Sequence, residues 1–591
     1  MATTDLLKEI FDDFGFEMSE TMIERCVDLC ITYSIDPREF VEIFVAFSIN
    51  HLNGAEPTDS TLDDFERKEL ANYKAKANKT NTNVRLQRSI NDYDGIGSDE
   101  EDNDVMGAYI CTTPKAQKPA RSRGISTPVS NMRNNQGSMD SPISVPVKDA
   151  TGKVVYTFGT SALMKTIDWM NTAKQTVKFE RISEQFSSDQ HYMYDNLLQK
   201  TSIAADRIFD IGEEICAKLI KEQADVYEKD LYNQVFKLNA PTQGTIKSVG
   251  RICSDSDDRL GLHSTLLISA DEMCLRPYHL HFDRMKSFAL FPGQTVFVQG
   301  LNPRGDSFFV DDIIAERNLT YADPPQVKEN LNIVVASGPF TSKTDLSYEP
   351  LNELLAYCKQ NTPDVLVLLG PFLDADHQSL LDGSMKPSVE AYFDKIISDI
   401  VSNISANTEV YVVSSSQDAH STFVYPTAPY ELSKNVTNPP KNVTFLPDPC
   451  IIKLNGVTVG MTATDIYGHI SDAEITANAG DKVKRMANYL FNQASFYPLN
   501  PSSDKVSVDS GLAQQFATLP IVPNILILKS DAKCFAREVK DGTNGCLVLN
   551  PGSMWDTQNS TKGTFSRFIV TPTTDDTVSL NSIIACQIMK V

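Results

Sequence analysis

The sequence predicts a multidomain protein: a small all-α N-terminal domain, a five-stranded β-barrel and a C-terminal α/β domain. Three observations predict it. Apolar residues recur at helical spacing over residues 1–76, the period falls to two between 240 and 318, and wholly apolar strand-sized runs alternate with helical stretches from 330 onward. A chain of 591 residues is long enough for several such cores.

Residues 1–76 form the expected helical protein-interaction domain. Leu6, Leu7, Ile10, Phe11 and Phe14 follow a helical stripe, as do Met22, Ile23, Cys26, Leu29 and Cys30. Pro37 opens a further helix that carries Phe40, Val41, Phe44 and Phe47. Cys26 and Cys30 stand one turn apart on the apolar stripe and read as core residues, because no other ligand lies nearby. Residues 77–159 read as a disordered linker, rich in Asn, Thr, Ser, Gly and Pro, with the acidic run Asp99–Asp102. Thr113, Thr127 and Ser141 each precede proline there and are candidate phosphorylation sites, beside a loose basic set from Lys115 to Arg123.

Residues 160–322 read as a helical extension followed by the barrel. The extension is expected to be mostly helical to 236, ending in an amphipathic stretch from Ile203 to Val235. Strands are expected at 245–252, 264–268, 278–282, 294–300 and 308–310, with a short helical insert at Met285–Phe288. Five short strands with a helix between the third and fourth match the OB-fold. His279, His281 and Asp283 alternate on the third strand and read as a strand face rather than a metal site.

Residues 323–591 form the expected α/β domain. Strands Ile333–Ala336, Val365–Leu369 and Val410–Val413 alternate with helices at Tyr348–Lys359 and Val389–Val401, and later strands include 457–461, 525–528 and 545–549. Such fully apolar runs argue a buried sheet with helices on both faces. Ligand sites in such sheets lie at the carboxyl ends of the strands. Here those ends read Ser337-Gly338-Pro339-Phe340, then Gly370-Pro371-Phe372-Leu373-Asp374-Ala375-Asp376-His377, then Ser414-Ser415-Ser416-Gln417-Asp418-Ala419-His420, with Asn550-Pro551-Gly552-Ser553 near the end.

Charge narrows the function. The chain carries 54 Lys+Arg against 77 Asp+Glu, a formal net charge of −23. A broad nucleic-acid surface needs clustered cations to displace counterions, so direct DNA readout is disfavoured. No apolar run approaches the ~20 residues of a membrane span, and no secretory signal opens the sequence. The 11 cysteines are scattered without a C-x-x-C pair, which implies a reducing compartment.

The strand-end motifs over 330–591 resemble those of the calcineurin-like metallophosphoesterases. That resemblance implies D-x-H, G-D-x-x-D, G-N-H-D/E and G-H-x-H motifs, which supply the ligands a two-metal site requires. In this sequence Gly338-Pro339-Phe340 replaces the first motif, and Pro371 stands where the bridging Asp belongs. Ser415-Ser416-Gln417-Asp418 offers no Asn-His pair, Ile527–Asp531 replaces the last motif, and no His follows His469. An inactive domain without metal or cofactor is therefore expected. Gly338, Pro339, Gly370, Pro371, Asp374, Asp376, His377, Asp418 and His420 would form a vestigial site face holding a polar network.

An OB barrel followed by such a domain resembles the B subunits of the eukaryotic replicative DNA polymerases, and within them the alpha–primase branch. Leu290-Phe291-Pro292-Gly293-Gln294 and Gly370–His377 carry the resemblance, with Pro363-Asp364-Val365, Val424-Tyr425-Pro426 and Val548–Gly552. It implies a nuclear, non-catalytic scaffold of DNA replication. This scaffold clasps the zinc-containing C-terminal domain of the catalytic subunit, meets primase through the complex, and reaches other replisome proteins through the N-terminal domain. A linker of ~75 disordered residues spans roughly 50 Å. The barrel's Asp255, Asp257, Asp258, Asp311 and Asp312 favour protein over DNA as its partner. The alternatives are an active metal-dependent phosphodiesterase or nuclease, and an independent single-stranded-DNA-binding barrel.

Overall fold

The computed structural model describes residues 20–33 and scattered core positions between 7 and 65, then 152–591 with breaks at 170–175, 185, 188, 236–241, 256–258, 270–276, 306, 543 and 574–578. The linker positions Thr113, Thr127 and Ser141 lie outside the described residues, as do Asp257 and Asp258. The chain divides into two compact units, Met1–Asn134 and Asn135–Val591.

In the first unit the helix Glu20–Tyr33 buries Met22, Ile23, Cys26, Leu29 and Cys30 along one side. They pack with Leu7, Phe11, Phe40, Val41, Phe44, Phe47, Leu62 and Phe65. Phe65 meets Phe40 at 5.6 Å and Phe44 at 5.1 Å, both nearly perpendicular, the arrangement that the ring quadrupoles prefer. Burial pushes the Cys26 thiol up to about 12, so it packs as a small apolar group.

In the second unit the helix Leu197–Glu222 starts at a capping box in which the Asn196 and Gln199 side chains satisfy each other's backbone N–H groups. Its buried face, Ile208, Ile211, Ile215, Cys216 and Leu219, packs on Val249 and Phe297 of the barrel. The described residues between 160 and 235 are less helical than the sequence suggests. The amphipathic stretch breaks at Gln223, where the backbone leaves the helical region, and resumes only as the short helix Leu231–Gln234. Two segments ahead of the long helix are strands. Val154–Phe158, inside the span expected as linker, pairs with Ile584–Lys590, and Phe179–Arg181 pairs with Cys450–Leu454. Pairing partners more than 270 residues away override weak local preferences at both places.

The barrel is closed, in the order Thr245–Ser254, Thr265–Ile268, Tyr278–His281, Ser307–Ile314 and Thr295–Leu301. Its interior holds Ile252, Leu267, Leu280, Val296, Val298, Phe308 and Val310. The expected helical insert is absent. Phe288–Leu290 is instead a strand that leaves the barrel and pairs with Ile475–Ala477 of the α/β domain.

The α/β domain has two sheets where the sequence suggested one. Seven strands, including the parallel set Leu331–Ser337, Val365–Leu369, Glu409–Val413 and Val443–Leu446, face a six-stranded sheet built around Val457–Thr462, Ile525–Leu528 and Asn544–Asn550. Val335, Val367 and Tyr411 from the first sheet meet Ile452, Val459, Ile527 and Leu549 from the second in one core. The alternate residues Val334, Leu366, Leu368 and Val412 face outward under the helices Glu349–Asn361 and Val389–Asn403. The helices Ile466–Ala473 and Lys482–Asn492 cover the outer face of the second sheet. Each sheet is thus helix-covered on one side and sheet-covered on the other. Both faces are dry, which is why the runs read as uniformly apolar.

Barrel and α/β domain lock together through Leu290–Gln294. Phe291 is fully buried in the α/β core, 4.8 Å from the Tyr489 ring. The Asn500 N–H donates to the Pro292 carbonyl at 3.0 Å. Gln493 bridges back to the barrel, its Oε1 accepting from the Thr295 N–H at 2.9 Å and its Nε2 donating to the Thr295 carbonyl at 3.0 Å. Arg317 donates to the Phe491 carbonyl at 3.0 Å and pairs with Glu214 of the long helix.

Candidate functional site

The three parallel strands Leu331–Ser337, Val365–Leu369 and Glu409–Val413 bring the expected strand-end motifs together. The Gly338 N–H donates to the Leu369 carbonyl at 2.8 Å, and the Gly370 N–H to the Val413 carbonyl at 3.0 Å, so the loops leave the sheet side by side. Gly338 lies so close to Pro371 that a side chain would overlap the Pro371 carbonyl. Pro339 and Pro371, with Asp374 and Asp376, line a cleft of about 460 Å³.

Asp418 is the buried centre of this face. Its Oδ2 accepts from the Phe372 N–H at 2.5 Å, the Tyr430 hydroxyl at 3.0 Å and the Leu373 N–H at 3.4 Å. Its Oδ1 accepts from the His420 N–H at 3.0 Å. Burial raises its carboxyl pKa, and these donors oppose the rise. With both oxygens engaged by the loops, the group acts as a brace between the second and third strand-end segments.

The two histidines are equally committed. His377 is buried, its Nδ1 accepts from the Ser379 N–H at 3.1 Å, and its Nε2 faces the Asp345 carbonyl at 3.4 Å. An accepting Nδ1 places the proton on Nε2. His420 directs Nε2 at the Glu431 carbonyl at 2.9 Å and stacks on Phe393 with ring centres 4.3 Å apart. Asp374 accepts from the Asp376 N–H at 2.9 Å and lies 4.0 Å from the Lys343 ammonium. Asp376 is exposed.

These residues do not fit the metals of the phosphoesterase fold. The prolines at 339 and 371 offer no side-chain donor, and Asp418, His377 and His420 already bond to backbone. Elsewhere, His281 of the alternating H-x-H pair stacks on Phe309 at 4.8 Å. Among the described residues no helix is long and apolar enough to cross a membrane.

Two residues that sequence reasoning missed complete the face. Asp448, fully buried between Pro447 and Pro449, accepts from the Thr462 hydroxyl at 2.7 Å, the Ala463 N–H at 2.9 Å and the Thr464 hydroxyl at 2.7 Å. Lys529, also buried, follows Ile525–Leu528 and donates to the Gln417 side-chain oxygen at 2.8 Å. Asp448 carries no sequence signal beyond its residue type, whereas Lys529 lies in Ile527–Asp531, the segment read as replacing the last motif, without its burial being legible there.

Burial raises the Asp448 carboxyl to about 6, with the hydroxyls, the N–H and Lys529 pulling it down. A raised folded pKa contributes stability fully present below the unfolded value and lost as pH rises through about 6. Between about pH 5 and pH 7 this group should remove about 1 kcal/mol of stability. Urea unfolding at those two values should show a loss on going to pH 7 that is smaller by about this amount in Asp448→Asn than in the wild type. An unchanged slope in the variant would refute the assignment.

A closed barrel followed by an α/β domain is the domain order that the resemblance to the replicative-polymerase B subunits implies. The chain belongs to the family of DNA polymerase alpha B subunits. Residues 333–537 match the family model for the B subunit of DNA polymerases alpha and epsilon. Two further models, for the N-terminal domain and the OB domain of the DNA polymerase alpha B subunit, match residues 5–72 and 205–316. The chain is 36% identical to the DNA polymerase alpha B subunit of Drosophila melanogaster, covering 99% of each chain. It is 26% identical to that of Rattus norvegicus, over 96% of this chain and 95% of the relative. With the Schizosaccharomyces pombe protein it shares 28% identity over 64% of this chain and 67% of the relative.

Proposed function

We propose that this chain is the non-catalytic B subunit of a DNA polymerase alpha–primase complex. It binds the zinc-containing C-terminal domain of the catalytic subunit and supports primer synthesis in the nucleus. The observation that carries the reading is the 36% identity to a named B subunit along 99% of both chains. The locked barrel and α/β domain suit a scaffold, since a rigid body presents a binding surface without an ordering cost. The strand-end face supports no hydrolysis, because Pro339 and Pro371 stand at ligand positions and the nearby carboxylates brace loops. The N-terminal helical domain reaches further replisome proteins, and Thr113, Thr127 and Ser141 are sites for charge-based regulation.

Co-expression with the C-terminal domain of a polymerase alpha catalytic subunit should give a stable complex in gel filtration. Failure to co-elute would overturn the scaffold role. The purified chain should not hydrolyse a generic phosphodiester with manganese, and turnover abolished by Asp374→Ala would restore the enzymatic reading.

A further inference from the structure

The cleft of about 460 Å³ at the strand ends holds a charge that the scaffold role does not use. Lys529 is only 3% exposed, yet it lines this cleft. Its ammonium has three donors to place, and its one hydrogen bond among the described residues goes to a neutral amide, Gln417 Oε1 at 2.8 Å. No carboxylate among the described residues lies in ion-pair range of it. Asp448 feels its field, but that carboxylate's oxygens are already taken by Thr462, Ala463 and Thr464. A buried ammonium without a direct anionic partner is costly, and proteins retain such a group where something anionic meets it.

The rest of the cleft fits that demand. Lys343 and Lys505 line it too; their ion pairs, Lys343 with Asp374 at 4.0 Å and Lys505 with Asp472 at 3.8 Å, are long and solvent-screened, so an anion in the cleft can compete for both ammonium groups. Four carboxylates share the lining and bear on the balance. Asp374 is engaged by Lys343 and the Asp376 N–H, while Asp376, Asp504 and Asp531 are exposed and screened by water. Among these lining charges Lys529 acts from a desolvated position, where a charge interaction is worth most. Phe423, 57% exposed, also lines the cleft and offers a flat aromatic face.

We propose that the cleft is a binding site for a nucleoside monophosphate. Lys529 takes the phosphate, assisted by Lys343 and Lys505, and Phe423 stacks on the base. No bond is broken. The phosphate dianion completes the partnership that Lys529 lacks, and the aromatic face distinguishes a nucleotide from free phosphate.

The test titrates the full chain with AMP and with inorganic phosphate, following binding by calorimetry and phosphorus NMR. Both should bind, AMP the tighter. Lys529→Met should weaken both by roughly tenfold or more, since a charge-assisted contact is lost. Phe423→Ala should weaken AMP alone. Should Lys529→Met fail to fold, Lys343→Met, at an exposed position, should still weaken phosphate binding. No binding of either ligand by the wild type, or undiminished binding in the lysine variants, would overturn the site. Equal affinity for AMP and phosphate would overturn the nucleoside assignment.

Discussion

Asp418→Ala should destabilise the α/β domain by about 3–5 kcal/mol, the cost of removing the acceptor from a buried network. The carboxylate receives the N–H groups of Phe372, Leu373 and His420 and the Tyr430 hydroxyl, and its residue is fully buried. Alanine leaves those donors facing a void, so each loses its partner without regaining water. The effect should spread along Gly370–His377, because Phe372 packs at 4.9 Å on Phe340 and at 5.8 Å on Phe393. Urea unfolding of the purified variant reads the loss directly. Asp418→Asn should cost less than alanine, since it keeps one acceptor. A loss below about 1 kcal/mol for alanine would show that the carboxylate does not brace the two strand-end segments.

How far the sequence reveals this molecule depends on what each signal reports. The parallel strands 331–337, 365–369 and 409–413 were legible because they are dry on both faces. An apolar run does not say whether a helix or a second sheet dries it, so the sandwich was not. Val154–Phe158, Phe179–Arg181 and Phe288–Leu290 are short, and their partners are distant in sequence, so no local period marks them. At the strand ends, Pro339 and Pro371 reveal missing ligands by residue type alone. The jobs of Asp418, His377 and His420 depend on which backbone groups approach them. Asp448 shows no pattern, and Lys529 stands out only as part of the segment Ile527–Asp531 that replaces the last motif, because a buried charge is recognised only by its burial. Leu290–Gln294 stood out by resemblance, but its role as the joint between barrel and α/β domain appears only once Phe291 is seen in the far core.

That joint gives the second large expected effect. Gly293→Ala should cost about 3 kcal/mol or more and uncouple the barrel from the α/β domain. Two penalties coincide. Gly293 has φ +94, a conformation that side chains rarely adopt, and a Cβ there would lie 2.6 Å from the Asn500 nitrogen and 2.7 Å from the Pro498 carbonyl oxygen. Both obstacles are backbone, so relief requires the 498–500 loop to withdraw, breaking the bond from the Asn500 N–H to the Pro292 carbonyl. Withdrawal also loosens Phe291, whose burial is worth about 1.5–3 kcal/mol. The comparison is Gly383→Ala, where φ is +69 and nothing lies within 4 Å of the added carbon. That variant carries only the conformational penalty, about 1 kcal/mol. In the wild type the barrel and the α/β domain should unfold in one shared transition, and Gly293→Ala should split it as the barrel melts separately. The same variant should co-elute less with the C-terminal domain of the catalytic subunit, because a scaffold with a loose joint orders itself on binding. If Gly293→Ala proved as stable as Gly383→Ala, the 290–294 segment would not be what holds the two domains together.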